Sequence, residues 1–374
     1  MKILYLTDQT YLHGGVEKVL SQKANYLAEV SGDEVTVVTY NQKGRRPVYA
    51  FSEKIQFIDL GVNYEIAKSY FHPANLKKIP EHRKALSKVI KRLEPDVMVS
   101  CSYGPDFYFL PYLRRSVPKI KEFHSSRYFD RNVKGSWKDR LLKIGNAAME
   151  KQYDQIVVLN KDEKPFYATD KVSIIPNPVE PSSLRVTNNA KKILAAGRIS
   201  PVKNFSELID IFAAVHTEFP DWELHFWGED YVGTQGKLMI QIENYGLADR
   251  IKFMGTTTDL KKEMLNYSIY AMTSEMECFP MVLLEALSVG LPVISYDAPT
   301  GPKHILTPGS DSCMIPYKNS AIFVTQLKQL MGDEGLRIRM GVNARVNSHR
   351  FEIAAVMSQW RSLFSSLMKS SEHH

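Results

Sequence analysis

Two doubly wound α/β domains, each a parallel sheet covered by helices, are what the sequence predicts, and three observations predict them. Short apolar runs alternate with amphipathic helical patterns along nearly the whole chain. A chain of 374 residues is long enough for two domains with a core apiece. One stretch rich in Pro, Ser and Asn, PNPVEPSSLRVTNNAKK from Pro176 to Lys192, breaks the alternation near the middle and reads as the linker. The expected division is residues 1–180, residues 181–350 and a final amphipathic helix within 351–372.

In the first half, Lys2 to Thr7 reads as a buried strand. Gly14-Gly15 then opens a helix whose Val16, Val19, Leu20 and Leu27 fall at helical spacing. Glycine there permits close approach of backbone to a ligand, and Glu17 in the first turn suits the helix dipole. Further strands are expected at Val35–Thr39, Ile55–Leu60, Val97–Ser100, Lys119–Phe123, Ile156–Leu159 and Val172–Ile175. His124 follows the fourth of these six at the carboxyl edge, where open parallel sheets bind ligands. Residues Leu76 to Leu93 form a basic amphipathic stretch with Ile79, Leu86, Ile90 and Leu93 on its apolar side. Arg114, Arg115, Lys119, Lys121 and the run Arg131 to Lys143, with Trp137 among them, add to the same charge.

In the second half, Ile193–Ala196 is a strand with Gly197-Arg198 at its edge. Asn204 followed by Glu207 predicts a capping box for a helix carrying Leu208, Ile209, Phe212 and Val215. Leu224–Trp227 and Ile251–Met254 continue the alternation. Ser268–Met272 is a buried strand leading through Glu277 to a helix that begins near Pro280 and ends at Gly290 and Pro292. Glu285 lies eight residues after Glu277, so that both carboxylates can reach one crevice. The free N–H groups at this helix start favour an anion such as a diphosphate. A carboxylate one turn along can accept hydrogen bonds from a ribose diol.

Composition sets further bounds. The chain carries 29 Lys and Arg against 21 Asp and Glu in residues 1–180, and 19 against 20 in the remainder. A basic first half could meet nucleic acid, an anionic membrane or an anionic acceptor. No nucleic-acid motif accompanies the charge, so no nucleic-acid partner is expected. The three cysteines, Cys101, Cys278 and Cys313, have no metal-like spacing, and neither disulfide nor structural zinc is expected. No run of eighteen apolar residues and no leading signal-like segment occurs, which points to the cytoplasm. His373-His374 reads as a tag remnant. The basic stretch is either a plain surface helix or a docking face for an anionic bilayer, at roughly 1 kcal/mol per basic residue near the surface.

Several motifs together carry a resemblance. ECFPMVLLEALSVGLPVISYD resembles the E-x7-E signature of retaining glycosyltransferase family 4. GRISPVKNF resembles that family's GRxxxxKN loop, GGVEK its GGxE loop, and IPNPV its IPNGV turn, with Pro178 in place of the usual glycine. The resemblance implies the GT-B fold, two Rossmann-like domains facing across a cleft, with the last helix crossing back onto the first domain. It implies that Glu285 holds the ribose hydroxyls and that Glu277, Cys278, Phe279, Met281 and Val282 lie along the donor sugar and diphosphate. Arg198 and Lys203 would reach the diphosphate, Thr257 the nucleobase, Gly15 the donor phosphate and acceptor, Gly14 the acceptor, and His124 the reaction centre and acceptor. The family usually has glycine where Cys278 stands, a side chain expected to narrow the hexose pocket. DAPTGPKHIL from Asp297 resembles a segment of members that build bacterial surface polysaccharides from UDP-sugars, although His304 replaces the usual glutamate.

These resemblances imply a retaining, metal-independent transferase. It would move a hexose or N-acetylhexosamine from a UDP-sugar to a saccharide acceptor, one that is lipid-linked if the basic half docks on a membrane. The catalytic set would be His124, Glu277, Arg198 and Lys203. No D-x-D pair is present to hold Mg²⁺, so the cations and the helix dipole would stabilise the leaving diphosphate. A GDP-mannose transferase, a UDP-sugar epimerase and a non-catalytic sugar-nucleotide-binding subunit are the alternatives, separated by which nucleotide binds and whether sugar is transferred.

Overall fold

The computed structural model describes residues 1–128 and 136–371, apart from the side chains of Lys138, Ser370 and Ser371. Residues Arg131 and Lys134 of the basic run, and His373-His374, lie outside the described residues.

The chain forms two compact units. One comprises Met1–Pro178 together with Ile353–His374, the other Val179–Glu352. The first is built on β1 (Lys2–Thr7), β2 (Glu34–Thr39), β3 (Gln56–Asp59), β4 (Val97–Ser100), β5 (Lys119–Glu122), β6 (Gln155–Val158) and β7 (Val172–Ile174). These pair in the order β3-β2-β1-β4-β5-β6-β7, every ladder parallel. A parallel sheet is covered on both faces, so its strands read as continuous apolar runs. In β1, Ile3 and Tyr5 enter the core on one face and Leu4 and Leu6 the core on the other. Helix α1 (Gly15–Glu29) contributes Leu20, Ala24 and Leu27 to the first of these cores. The last helix, α11 (Ile353–Ser371), adds Val356, Met357, Trp360 and Phe364 to the same core. Helix α3 (Ile79–Leu93) contributes Leu86, Val89 and Ile90 to the opposite face, after a short turn of helix, α2 (Pro73–Leu76). Helix α4 (Trp137–Glu150) follows β5.

The second unit holds β8 (Lys192–Ala196), β9 (Glu223–Trp227), β10 (Ile251–Gly255), β11 (Ile269–Met272), β12 (Val293–Tyr296) and β13 (Ser312–Ile315). Their order is β10-β9-β8-β11-β12-β13, again all parallel. The sequence did not point to β12 or β13: VISY follows the helix end at Pro292 directly, and Ser312 and Cys313 give no apolar run. Helices α5 (Phe205–His216), α6 (Gln235–Asn244), α7 (Leu260–Met264), α8 (Met281–Val289), α9 (Ser320–Gly332) and α10 (Glu334–Ser348) complete the unit.

Two expectations are corrected. Asn204 does not form a capping box: its backbone is left-handed (φ 50°) and its side chain makes no cap bond. The turn Pro201–Lys203 delivers Asn204 in that conformation, and its side-chain amide donates to Glu207 Oε2 instead. Lys119 and Lys121 do not belong to a basic surface, being 1% and 0% exposed. They sit in a central strand, where a neighbour on each side and a layer on each face leave no route to water.

Candidate active site

In each sheet the strand order reverses direction beside the first strand of the unit, between β1 and β4 and between β8 and β11. Open α/β sheets bind ligands at the carboxyl ends of strands at such a point. In the second unit, β8 ends in Gly197 and Arg198. Gly197 has φ +146°, and a Cβ there would stand 2.7 Å from Lys203 Cε. The bare backbone thus lets the Lys203 stem lie across it. Lys203 Nζ reaches Glu277 Oε1 at 2.6 Å, both side chains largely buried at 18% and 10% exposure. Thr273, at the end of β11, ties the two loops together by donating to the Asn204 carbonyl at 2.9 Å.

Glu277 is held from behind as well. A Cβ on Gly301 would lie 2.7 Å from Glu277 Cβ, so glycine is needed for the loop after β12 to pass so close. Thr300 adopts φ +69°, a conformation costly for a β-branched residue and typical of functional loops. Its hydroxyl donates to the Glu277 carbonyl at 3.0 Å. Helix α8 then starts after Pro280 with no side-chain cap, leaving its N-terminal amides for an anion, with a dipole equal to roughly half a charge behind them. Cys278, Phe279 and Met281 are buried around this start, and Phe279 packs edge-on against Phe351. Glu285, 2% exposed, sits in the second turn. The buried Tyr270 hydroxyl donates to the Ala196 carbonyl at 3.1 Å. Burial first, then the charges of Glu277 and Glu285, raise the pKa of this phenol.

In the first unit, Gly14 is the N-cap of α1. A Cβ on it would meet Glu17 Oε2 at 2.1 Å, because the Glu17 carboxylate folds back over the turn. Gln9 donates to that carboxylate, and burial raises its pKa against the bonds from its own amide and Gln9 and the charge of His124. The Gly14 turn and His124 therefore share one edge of the sheet. His124 Nε2 lies 3.3 Å from Glu122 Oε1. Both Glu122 oxygens lie 2.6 Å from Lys23 Nζ, a pair only 1% and 2% exposed. Burial would raise the Glu122 pKa, but Lys23 and His124 outweigh it and hold the carboxyl well below its usual range. Alongside, Lys121 donates to Ser100 Oγ at 3.1 Å, which donates to Asp106 Oδ2 at 2.8 Å. Arg127 pairs with Glu150 at 2.6 Å.

Two family models match this chain: Glycosyltransferase Family 4 over residues 13–183 and Glycosyl transferases group 1 over residues 178–347. The chain belongs to these glycosyltransferases. An uncharacterized glycosyltransferase of Haemophilus influenzae is 24% identical over 360 residues, 94% of this chain and 96% of that protein. The AmsD glycosyltransferase of amylovoran biosynthesis from Erwinia amylovora is 30% identical over 172 residues, 46% of this chain and 47% of that protein. An exopolysaccharide phosphotransferase of Streptomyces coelicolor is 31% identical over 225 residues, 58% of this chain but 24% of that protein. The chain thus spans from about a quarter to nearly all of the curated relatives it matches. Among solved structures, TarM of S. aureus, in complex with Fondaparinux, alpha-GlcNAc-glycerol and UDP, superposes with a TM-score of 0.80 at 14% identity, over 97% of this chain and 100% of that one. The fold is GT-B.

Within this glycosyltransferase, the structure brings Gly197, Lys203, Glu277, Cys278, Phe279, Met281 and Glu285 to one sheet edge, with the half-buried Val282 in the first turn of α8. Arg198 stands exposed beside them. Thr257 lies in the loop after β10, where its hydroxyl accepts from the Asp259 amide at 3.1 Å. Gly14, Gly15 and His124 share the edge of the other unit. Lys23, Glu122, Lys121 and Arg127 were missed as site neighbours. KIKEFH carries two of these charges, Lys121 and Glu122, but only the sheet order, which makes this strand central, obliges each to find a buried partner. Among the described residues, no group of three or more His, Cys, Asp or Glu could hold a metal ion, and no helix is long and apolar enough to cross a membrane.

Proposed function

We propose that the protein transfers a hexose or N-acetylhexosamine from a UDP-sugar to a saccharide acceptor, with retention of configuration and without a metal, in bacterial polysaccharide or glycoconjugate assembly. The observation that carries this reading is the Lys203–Glu277 pair beside the uncapped start of α8, with Glu285 one turn in. The donor diphosphate binds at those amides and draws on Lys203 and Arg198. Glu285 accepts from the ribose diol, and Glu277 faces the sugar. As the bond from the anomeric carbon to the diphosphate oxygen breaks, the pair of electrons leaves on that oxygen, where the two cations and the helix dipole stabilise it. The acceptor hydroxyl attacks from the same face and gives its proton to the departing phosphate oxygen. His124 and the Gly14-Gly15 turn serve the acceptor side. The names of the Erwinia and Streptomyces relatives support the setting, and UDP in the TarM complex supports the nucleotide. The acceptor is lipid-linked and the enzyme works at the inner face of the plasma membrane, where the basic residues of α3 face an anionic surface.

Thermal unfolding with UDP, GDP and ADP, each with and without EDTA, tests this. A ligand bound only by the folded state raises the melting temperature. A UDP-selective shift that survives EDTA is expected, followed by an α-linked product from the matching UDP-hexose. A GDP-selective shift would replace the donor, and no shift with any nucleotide would overturn the reading.

A further inference from the structure

Glu122 has three partners and a single exit. Lys23 Nζ touches both of its oxygens at 2.6 Å. Cys101 Sγ donates to Oε2 at 3.5 Å. His124 Nε2 approaches Oε1 at 3.3 Å and is the only one of these groups at the mouth, with a tenth of its side chain exposed. The ammonium is closed off from water by the Trp360 ring at 4.1 Å and the Tyr5 ring at 5.5 Å. A buried ion pair is often no more stabilising than apolar residues of the same volume, because both charges must be stripped of water. Stability therefore does not explain why Lys23 and Glu122 stand where an apolar pair would pack. The third partner does.

We propose that Glu122, kept charged and immobile by Lys23 beneath Trp360, is a positioning residue that fixes the His124 imidazole with its Nε2–H turned inward, so that Nδ1 is presented as a hydrogen-bond acceptor for a substrate hydroxyl. The logic is that of the carboxylate behind an imidazole: which ring nitrogen carries the proton is set by the partner of the other. Residues 122 and 124 fall two apart along an extended strand end and so lie on one face of it. A second carboxylate, Glu17 of α1, has its pKa raised by burial and lowered in part by the charge of His124. The class of ligand follows: a group that donates, such as a sugar O–H, rather than a phosphate or carboxylate oxygen. This inference rests on the reading of His124 as a reaction-centre residue, and it makes α11, which supplies Trp360, part of the support for that centre.

The test is a long-range ¹H–¹⁵N correlation spectrum of the ¹⁵N-histidine-labelled full chain, with the His124 signals assigned by their loss in His124→Asn. Transfer kinetics are measured alongside. In the native protein the Nε2–H tautomer should dominate. In Glu122→Gln, and in the charge-neutral pair Lys23→Met/Glu122→Gln that keeps the variant folded, the Nδ1–H form should rise several-fold. In both, kcat should fall about 10- to 100-fold, the range seen when an outer partner of a functional histidine is lost, with KM for the donor changed by less than about threefold. A folded double variant whose His124 tautomer and kcat match the native protein would overturn the proposal. If the tautomer shifts but His124→Asn transfers sugar at the native rate, the orientation stands and the reaction-centre reading of His124 falls.

Discussion

The two units share a topology and place their site residues at the same kind of edge, yet they prepare that edge in opposite ways. At the first unit's edge the charges are buried and already paired: Lys23 with Glu122, Lys121 with Ser100, Arg127 with Glu150. At the second unit's edge the one pair, Lys203 with Glu277, is less deeply buried, at 18% and 10% exposure, and beside it donors are left open, as a helix start without a side-chain cap and an exposed Arg198. Groups that satisfy one another can orient a neighbour but have little left to offer a ligand. Amides and cations at an open edge can bind an anion and need no rearrangement to do so. The contrast teaches that one unit holds a site rigid and the other keeps it ready to be filled.

The hardest way to break that contrast is to remove one member of the buried pair. Lys23→Met leaves the Glu122 carboxylate uncompensated, and urea unfolding should show a loss of about 3–5 kcal/mol. The paired change Lys23→Met/Glu122→Gln should recover most of it; equal losses in both would mean the edge is not built on paired charge. Since the Glu122 pKa lies below its unfolded value, the pair's contribution is complete above the ordinary glutamate value of about 4.3 and lost as pH falls below it. In the second unit the same kind of change should cost the fold less and strike activity. Lys203→Met should lower transfer about 10²- to 10³-fold, as loss of one preorganised charge-stabilising group does, with a smaller stability loss than Lys23→Met because Glu277, at 10% exposure, keeps some access to water. A large stability loss there, with transfer intact, would put the two edges in one class.

Gly301→Ala is smaller and more local. Its Cβ would stand 2.7 Å from that of Glu277, an overpacking that costs about 1–3 kcal/mol. Activity should drop more than stability predicts, because Glu277 moves. Gly236→Ala, with nothing within 4 Å of the new Cβ, is the matched control and should leave activity unchanged and raise stability slightly, as alanine does in a helix. The smallest effect concerns His82, which is buried under Tyr40 and Phe109 with its pKa lowered by burial to about 4. An unfolded histidine takes up its proton near 6.5, so between about pH 6.5 and 4 the unfolded state binds more protons. Stability should then fall with falling pH by on the order of 1 kcal/mol per unit. His82→Gln should flatten that slope in urea titrations at pH 7, 6 and 5; an unchanged slope would clear His82 of it.

Much of this molecule was legible from neighbours in sequence. Eleven of the strands and the starts of α1 and α8 follow from apolar periodicity, glycine and proline, because those signals act within a turn or a strand. The gathering of residues at the second unit's edge was legible for the same reason: Gly197 and Lys203 lie six residues apart, and Glu277 and Glu285 eight, each set on one loop-and-helix unit. β12 was lost because it follows a helix end directly and β13 because Ser312 and Cys313 break its apolar run, and the Asn204 cap because the preceding turn fixed its backbone. The first unit's site was mostly hidden. Lys23 and Glu122 are 99 residues apart in sequence, Trp360 arrives from the far end of the chain, and a lysine in a string of residues looks the same whether it will face water or a buried carboxylate.

The sequence by itself determined the alternation of strands and helices, the two-unit division and which residues meet at the second unit's sheet edge, because each depends on local spacing. Only the tertiary structure decided that Lys119 and Lys121 are interior, that Glu122 stands between Lys23 and His124, and that α11 seals the pair. Burial and long-range pairing belong to the packed sheet, and the cost of an unpaired buried charge is incurred only once that sheet has closed around it.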